Sequence, residues 1–157
     1  MVAVPGRVES INRSRGGVPK APGESGTITA AGLDGDVQRD LRFHGGPDRA
    51  LSLYSLDLIA ALRAEGHPIA PGTTGENLTV SGLEWARLVP GALVSVGESV
   101  RLEVTRYASP CANISGSFLD GQIARIAQKT HPGWSRVYTR VLTAGPVRVG
   151  DPVVLLG

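Results

Sequence analysis

Short segments with alternating apolar and polar residues are the strongest pattern in this chain. From Val100 to Thr105 every second residue is aliphatic and the residues between them are polar, which predicts a strand with one buried face. Residues 134–141 alternate in the same way, with Val137 and Val141 as the aliphatic face. Other short β-rich runs, bounded by glycine and proline, predict strands at 77–80, 92–96 and 153–156, and less regular ones at 27–31 and 50–54.

Two segments have the spacing of amphipathic helices, one over residues 56–65 and one over residues 119–129. Ser55 is a favourable N-cap for the first helix, and Gly66 can end it in a left-handed conformation. Lys129 complements the negative end of the second helix. The apolar residues that define the buried faces are Ile59 and Leu62 in the first helix and Ile123, Ile126 and Ala127 in the second.

Many short strands with about two peripheral helices predict a mainly β protein with a closed or nearly closed β-barrel. The chain has 157 residues, an ordinary length for one domain, so residues 1–157 are expected to form a single domain. Residues 12–26 are rich in glycine, proline, serine and basic residues, which predicts a long loop within it. The pattern does not determine strand order.

Composition narrows the classes of partner. The net charge is only +2 and aromatic residues make up 4% of the chain, which argues against nucleic-acid binding. The single cysteine excludes an internal disulfide and suits a reducing compartment. The sequence shows neither a signal-peptide pattern nor a membrane-spanning apolar run, so we expect a cytoplasmic protein with no membrane partner.

Three short loops carry the candidate chemistry. They read F-H-G-G-P-D-R-A at 43–50, G-E-N-L at 75–78 and S-P-C at 109–111. Each contains turn-forming residues and groups that can bind an anion or a metal. Loops on a rigid frame commonly carry function, so we expect a site assembled from these three.

The first loop has the residues of an anion site. Gly45 and Gly46 let backbone N–H groups approach a phosphate closely. Arg49 can hold a phosphate by two hydrogen bonds and His44 by another. The alternative is a Gly-Gly turn with a surface ion pair between Asp48 and Arg49, which would contribute little stability.

The other two loops also leave alternatives open. Cys111 follows Pro110 and precedes small polar residues, so we expect it beyond a strand end, where a thiolate can bind a soft metal. The alternative is that it is a small buried hydrophobe. Glu76 and Asn77 either hydrogen-bond a ligand or only lead the chain into the next strand.

These loops, in this order, resemble the MOSC family, which is named after the C-terminal domain of molybdenum cofactor sulfurase. The resemblance extends to G-R-V-E-S-I at 6–11, G-G-V-P-K at 16–20, G-L-D-G-D at 32–36 and R-V-L-T-A-G-P-V-R-V-G-D at 140–151. It covers nearly the whole chain and looks like the small stand-alone members. It implies a β-barrel core with peripheral helices.

The resemblance implies a site for the molybdenum cofactor, a metal-bearing pterin with a terminal phosphate. It implies that Cys111 is the catalytic residue and binds molybdenum or carries its sulfur. The implied cofactor contacts are His44, Gly45, Gly46, Arg49, Glu76, Asn77, Asn113 and Lys20. Arg39 and Arg42 are further candidate anion contacts.

The sequence departs from the family pattern beside the cysteine. Many members read P-R-x-P-C, whereas this chain reads Y-A-S-P-C, with Tyr107 and Ala108 in place of proline and arginine. An anion-binding arginine next to the thiolate is therefore missing. Arg106 is adjacent, but alternation along a strand should turn it to the other face from Tyr107.

By this resemblance we expect a molybdenum-dependent oxidoreductase that removes oxygen from small N-hydroxylated or N-oxygenated compounds. The sequence has no Gly-x-Gly fingerprint for a dinucleotide and too few cysteines for an iron–sulfur cluster, so electrons would come from a separate donor protein. Two alternatives stay open. One is a non-catalytic carrier of the cofactor or of a Cys111 persulfide; the other is a cysteine hydrolase using Cys111 and His44, for which no third orienting group is evident.

Overall fold

The structure is a computed structural model that describes residues 5–14, 18–36 and 46–156. Within these ranges it contains eleven β-strands, one α-helix and five short 3₁₀ turns. The strands are β1 Gly6–Arg13, β2 Ala21–Gly23, β3 Ser25–Thr29, β4 Gly32–Leu33, β5 Leu51–Ser55, β6 Leu78–Ser81, β7 Leu93–Val96, β8 Val100–Tyr107, β9 Val137–Thr143, β10 Gly145–Arg148 and β11 Pro152–Leu156. The helix α1 is Leu56–Ala64, and the 3₁₀ turns are Pro47–Arg49, Trp85–Arg87, Ala112–Ser117, Leu119–Gly121 and Ile123–Ile126. None of the helices in these ranges has the length and apolar character needed to cross a membrane.

Seven strands form a closed barrel in the order β1-β6-β5-β9-β8-β7-β11. The ring closes because β11 pairs with β1, with Gly6 opposite Val153 and Arg7 opposite Pro152. Neighbours in the ring are antiparallel except β5 and β6, which run parallel and are connected through α1. Outside the ring, β2 pairs with β1, and β10, β3 and β4 form a small second sheet. The predicted fold class is confirmed.

Aliphatic side chains that alternate along the strands fill the barrel. Val100, Leu102 and Val104 of β8 are fully buried, so the alternation in the sequence marks the inner face of this strand. Leu51 and Leu53 of β5 are buried in the same core. The intervening residues of β8 lie on the outer wall of the barrel, where the candidate site is found.

The alternating run after residue 134 becomes a strand only at Val137. Before this strand, the backbone carbonyls of Trp134 and Ser135 accept hydrogen bonds from side chains. Tyr54 donates its hydroxyl to the Trp134 carbonyl at 2.7 Å, and the Trp85 indole N–H donates to the Ser135 carbonyl at 2.7 Å. These two hydrogen bonds hold residues 134–136, the approach to β9, in place although they are not part of the strand.

The first predicted helix is confirmed as α1. The Ser55 hydroxyl accepts a hydrogen bond from the Leu58 backbone N–H at 3.2 Å, as expected of an N-cap. Ile59 and Leu62 are buried, and Gly66 has φ of 102°, the left-handed conformation that ends the helix.

The second predicted helix is corrected to two 3₁₀ turns, Leu119–Gly121 and Ile123–Ile126. Asp120 has φ of 53° and Gly121 has φ of 65°, and these left-handed conformations interrupt any continuous α-helix. The Leu119 N–H donates to His67 Nδ1 at 3.0 Å, so a tertiary contact holds the segment in this form. Ile126 is still buried, as its position in the apolar stripe predicted.

The predicted loop over residues 12–26 is also corrected in part. The end of β1, all of β2 and the start of β3 lie within it, while residues 15–17 are outside the described ranges. The pairing of β1 with β6 shifts register between Val8 and Ser10. A bulge of this kind breaks the two-residue period, which is why the sequence pattern did not reveal β1.

Candidate functional site

The S-P-C loop follows the end of β8. Ala108 is buried, and its N–H donates to the Arg136 carbonyl at 2.9 Å, which fixes the start of the loop against the approach to β9. Cys111 is half-buried, has no disulfide, and begins the 3₁₀ turn Ala112–Ser117 without capping it through its side chain. Its thiol therefore lies beyond a strand end, as predicted, and outside the buried apolar core.

Arg136 connects the S-P-C loop with the loop that contains G-E-N-L. Its Nη1 donates to the Thr74 carbonyl at 2.6 Å, and its Nη2 donates to the Ser109 carbonyl at 3.4 Å. Arg136 is only 7% exposed, and its Nε has no hydrogen-bond partner among the residues described. One buried guanidinium thus holds two of the three sequence motifs together.

The remaining loop, F-H-G-G-P-D-R-A, contacts the residue two positions after Arg136 through Arg49. The Arg49 guanidinium lies over the Tyr138 ring, 5.9 Å from its centroid. Tyr138 is opposite Arg106 in the β8–β9 ladder, so both lie on the same face of the barrel wall. Arg106 and Tyr107 are on opposite faces, as expected, and the face that Arg106 shares is that of Tyr138.

Four ionisable side chains influence the pKa of Tyr138. Burial raises the pKa of Tyr138, the guanidinium groups of Arg136, Arg49 and Arg106 lower it, and Cys111 raises it. These four side chains are therefore close enough to influence one phenol. We call this group the thiol–arginine cluster: Arg49, Arg106, Cys111, Arg136 and Tyr138.

The turn that carries Arg49 is built to keep this contact. Gly46 has φ of 80° and is exposed, and the Arg49 N–H donates to its carbonyl at 3.1 Å. The Thr105 hydroxyl donates to the Asp48 carbonyl, which ties the turn to the outer face of β8. The Asp48 carboxylate lies 3.6 Å from Arg140 Nη1. Asp48 therefore has an ion-pair partner on β9, the strand that also carries Tyr138.

Glu76 is fully buried and its carboxylate is surrounded by donors. Oε1 accepts from the Thr74 hydroxyl at 2.9 Å, and Oε2 accepts from the Gly72 N–H at 3.1 Å and the Thr79 hydroxyl at 2.9 Å. Burial raises the pKa of Glu76, while these hydrogen bonds lower it. Glu76 therefore organises the loop from within.

Asn77 and Lys20 also have internal partners. The Asn77 amide oxygen accepts from the Ser52 N–H at 3.1 Å, and its amide nitrogen donates to the Asp36 carboxylate at 2.9 Å. Lys20 Nζ lies 2.5 Å from the same carboxylate, and both side chains are buried. Asn77 and Lys20 therefore bond to Asp36, and their donors serve contacts within the protein.

Of the remaining predicted contacts, the structure describes Asn113 but not the residues at 39–45. Asn113 is exposed on the 3₁₀ turn just after Cys111. His44, Gly45, Arg39 and Arg42 lie outside the described residues, so their roles stay predictions. Within residues 5–14, 18–36 and 46–156, no three His, Cys, Asp or Glu side chains form a cluster that could hold a metal ion.

With this geometry in view, comparison with known proteins is decisive for the family. A profile of the MOSC domain matches residues 40–154. The chain belongs to the MOSC domain family. This family is related to the C-terminal domain of molybdenum cofactor sulfurase and is associated with the molybdenum cofactor.

Three curated relatives share the MOSC region. The uncharacterized protein YflK of Bacillus subtilis is 31% identical over 142 residues, 89% of this chain and 63% of YflK. YiiM of Escherichia coli is 33% identical over 135 residues, 82% of this chain and 58% of YiiM. A protein of Gibberella moniliformis named Reductase is 30% identical over 133 residues, 82% of this chain and 23% of that protein. This chain therefore spans less than two thirds of the length of each.

Solved structures support the same fold. The crystal structure of Escherichia coli YiiM matches with a TM-score of 0.69 and 26% identity, over 96% of this chain and 70% of that one. YiiM of Geobacillus stearothermophilus matches with a TM-score of 0.72 and 23% identity, over 98% of this chain and 76% of that one.

In this MOSC domain, the sequence analysis did not predict that Arg136 and Tyr138 lie beside the candidate loops. Both lie in the alternating run before and within β9, where polar residues are usually solvated. The guanidinium that is missing at Ala108 reaches the S-P-C loop from Arg136 instead. Only the antiparallel pairing of β8 and β9 brings these positions together, and the sequence did not give strand order.

A separate cleft lies on the opposite face of these strand ends. It has a volume of about 220 Å³ and is lined by Trp85, Leu88, Tyr107, Val137 and other, mostly small residues. Since Tyr107 and Val137 face away from Arg106 and Tyr138 along their strands, this cleft is distinct from the thiol–arginine cluster.

Proposed function

We propose that this protein binds the molybdenum cofactor at the thiol–arginine cluster and reduces small N-hydroxylated or N-oxygenated compounds there. The observation that carries the proposal is the convergence of three loops on one face of the barrel wall. Arg136 bridges the G-E-N-L and S-P-C loops, and Arg49 of the first loop lies over Tyr138. The family association and the relative named Reductase support the same reading.

The residues present fit the cofactor chemically. A half-buried thiol without a disulfide can supply a soft, anionic ligand for molybdenum. The three guanidinium groups that act on the Tyr138 phenol, on which the Cys111 thiol also acts, favour a dianionic phosphate. The buried Arg136 Nε–H without a partner is the kind of donor that a bound anion would satisfy.

In this proposal Cys111 holds the metal, and Gly46 and Arg49, with the predicted His44 and Gly45, hold the phosphate. Asn113, exposed beside Cys111, stays a predicted contact. Glu76, Asn77 and Lys20 act one step away, because their hydrogen bonds shape the loops. When bound, the cofactor supplies the redox chemistry for oxygen-atom removal.

The overall reaction consumes two electrons and two protons, and it converts an N–OH group into N–H and water. Burial raises the pKa of Tyr138, so its phenol keeps its proton at neutral pH. Electrons would come from a separate donor protein, such as a flavoprotein or a ferredoxin-type protein.

The test uses protein purified from a host that makes the cofactor. We expect molybdenum by elemental analysis, a pterin by fluorescence after oxidation, and turnover of an N-hydroxylated base with a reduced viologen. NADPH alone should give no turnover. Full loading with molybdenum but no activity with any strong reductant would favour the non-catalytic carrier, and absence of both metal and pterin would refute cofactor binding.

A further inference from the structure

Arg136 is a buried cation without an acidic partner in the part of the chain that the structure describes. It is 7% exposed, and none of the ion pairs among described residues includes it. Arg136 bonds to Thr74, two residues before Glu76. The Glu76 carboxylate, however, accepts its hydrogen bonds from Gly72, Thr74 and Thr79. Burial of an unpaired charge is costly, and no carboxylate among the described residues forms an ion pair that would balance it.

The hydrogen bonds of Arg136 leave donors unused. A guanidinium has five N–H donors. Two bonds go to the Thr74 and Ser109 carbonyls, which are neutral acceptors. The Nε–H is buried and has no partner among described residues. Unused donors on a buried cation favour an anionic acceptor with more than one oxygen.

The position of these donors is defined by the fold. The Ala108 N–H binds the Arg136 carbonyl at 2.9 Å, and the Trp85 indole N–H binds the Ser135 carbonyl at 2.7 Å. The backbone of Arg136 is therefore held from both sides. Arg49 and Arg106 act on the same phenol as Arg136 does, so two further guanidinium groups are close to the Tyr138 side chain.

We infer that Arg136 is an oxyanion-binding residue of the S-P-C loop, with a phosphate-type anion as its ligand. This inference deepens the proposed function and depends on it only for the source of the anion. If the cofactor binds, its terminal phosphate is one source, and free phosphate is the other. The chemistry at Arg136 is the same for both.

The experiment uses protein without cofactor and inorganic phosphate as the probe, followed by calorimetry and by the thermal midpoint. Wild type should bind phosphate and gain thermal stability with it. Arg136→Lys and Arg136→Gln should bind about tenfold more weakly or worse, since a charge-assisted bidentate contact is lost. Arg7→Gln is the matched control, because Arg7 is an exposed arginine of β1 beside Glu9, and it should bind as wild type does.

Cys111→Ser separates this inference from the proposed function. It should keep phosphate binding even though it loses the metal ligand. If wild type binds phosphate but Arg136→Lys binds equally well, the inference is wrong whatever the cofactor result. Because Arg136 also holds two loops, an independent readout on wild type is the arginine Nε–H resonance in ¹H–¹⁵N spectra. One such resonance should shift on saturation with phosphate, and no shift would overturn the inference.

Cofactor-loaded protein distinguishes the two sources. If loading abolishes the binding of inorganic phosphate, the cofactor's phosphate occupies the Arg136 site. If loaded protein still binds phosphate and Arg136→Lys weakens that binding, Arg136 takes a separate oxyanion. Either result supports Arg136 as the anion site, whereas phosphate binding insensitive to Arg136 in both forms contradicts it.

Discussion

Replacing Glu76 distinguishes an internal organiser of the loop from a direct cofactor contact. In Glu76→Gln the carbonyl can keep the Gly72 N–H and the Thr79 hydroxyl, and the amide N–H can donate to Thr74, whose hydroxyl rotates to accept. Three contacts are retained and only the Thr74 hydroxyl proton loses its acceptor, so we expect a loss in unfolding free energy of about 1 kcal/mol.

Glu76→Ala should behave differently. It leaves one backbone N–H and two hydroxyls buried without their acceptor, at about 1–3 kcal/mol each. Relief of the desolvated carboxyl offsets part of this loss. We therefore expect a net destabilisation of about 3–5 kcal/mol. Urea unfolding followed by tryptophan fluorescence at pH 7 measures both variants, and a loss below about 1 kcal/mol for Glu76→Ala would refute the reasoning.

The pH dependence provides a second check on Glu76. Burial raises its pKa above the ordinary value of 4.5, so the folded protein holds this proton more tightly than the unfolded chain does. The stabilisation is complete below 4.5 and declines as pH rises through the folded-state pKa. Relative to Glu76→Gln, wild type should lose stability as pH rises from 4.5 through the folded-state pKa of Glu76. The opposite slope would show that the carboxylate is stabilised as an anion.

Loading of the same variants with cofactor tests the earlier interpretation of Glu76. Its oxygens are used inside the loop, so Glu76→Gln should keep molybdenum and pterin. A stable Glu76→Gln protein that has lost both would instead show that Glu76 contacts the cofactor, as the family resemblance implies.

Two further predictions concern the turn and the helix. Arg49→Lys should weaken cofactor retention, because an ammonium cannot reproduce a bidentate phosphate contact; unchanged molybdenum content after dialysis, compared with Arg7→Gln, would show that Arg49 serves only the packing against Tyr138. Ser55→Ala should destabilise the protein by about 1 kcal/mol in urea unfolding, because the Leu58 N–H loses its cap, and equal stability would show that the cap contributes nothing.

Local patterns in the sequence predicted much of the fold. The inner face of β8 and the N-cap of α1 depend on neighbouring residues, and both are confirmed. The prediction of a second α-helix was wrong. A hydrogen bond from Leu119 to His67 and the left-handed conformation of Asp120 hold this segment in 3₁₀ turns. Strand β1 was not predicted for a similar reason. Its pairing with the distant β6 shifts register near Val8, and this bulge interrupts the alternation of buried and exposed residues.

The candidate site was predictable only as separate loops. Motif order predicted Cys111 and Arg49 as site residues, but the partners of Arg136 are 62 and 27 residues away in sequence. Whether Glu76 points at a ligand or at its own loop also depends on folding. The hydroxyls of Thr74 and Thr79 that bind it are ordinary residues in the sequence, and no pattern marks them as partners.

The most direct test of the central claim is the molybdenum content of Cys111→Ser beside wild type, both purified from a host that makes the cofactor. We expect wild type to contain molybdenum and the variant to lose it, because a serine oxygen is a harder and poorer ligand for this metal than a thiolate. The variant should stay folded, since Cys111 is half-buried and lies outside the core. Full molybdenum content in folded Cys111→Ser would contradict the account.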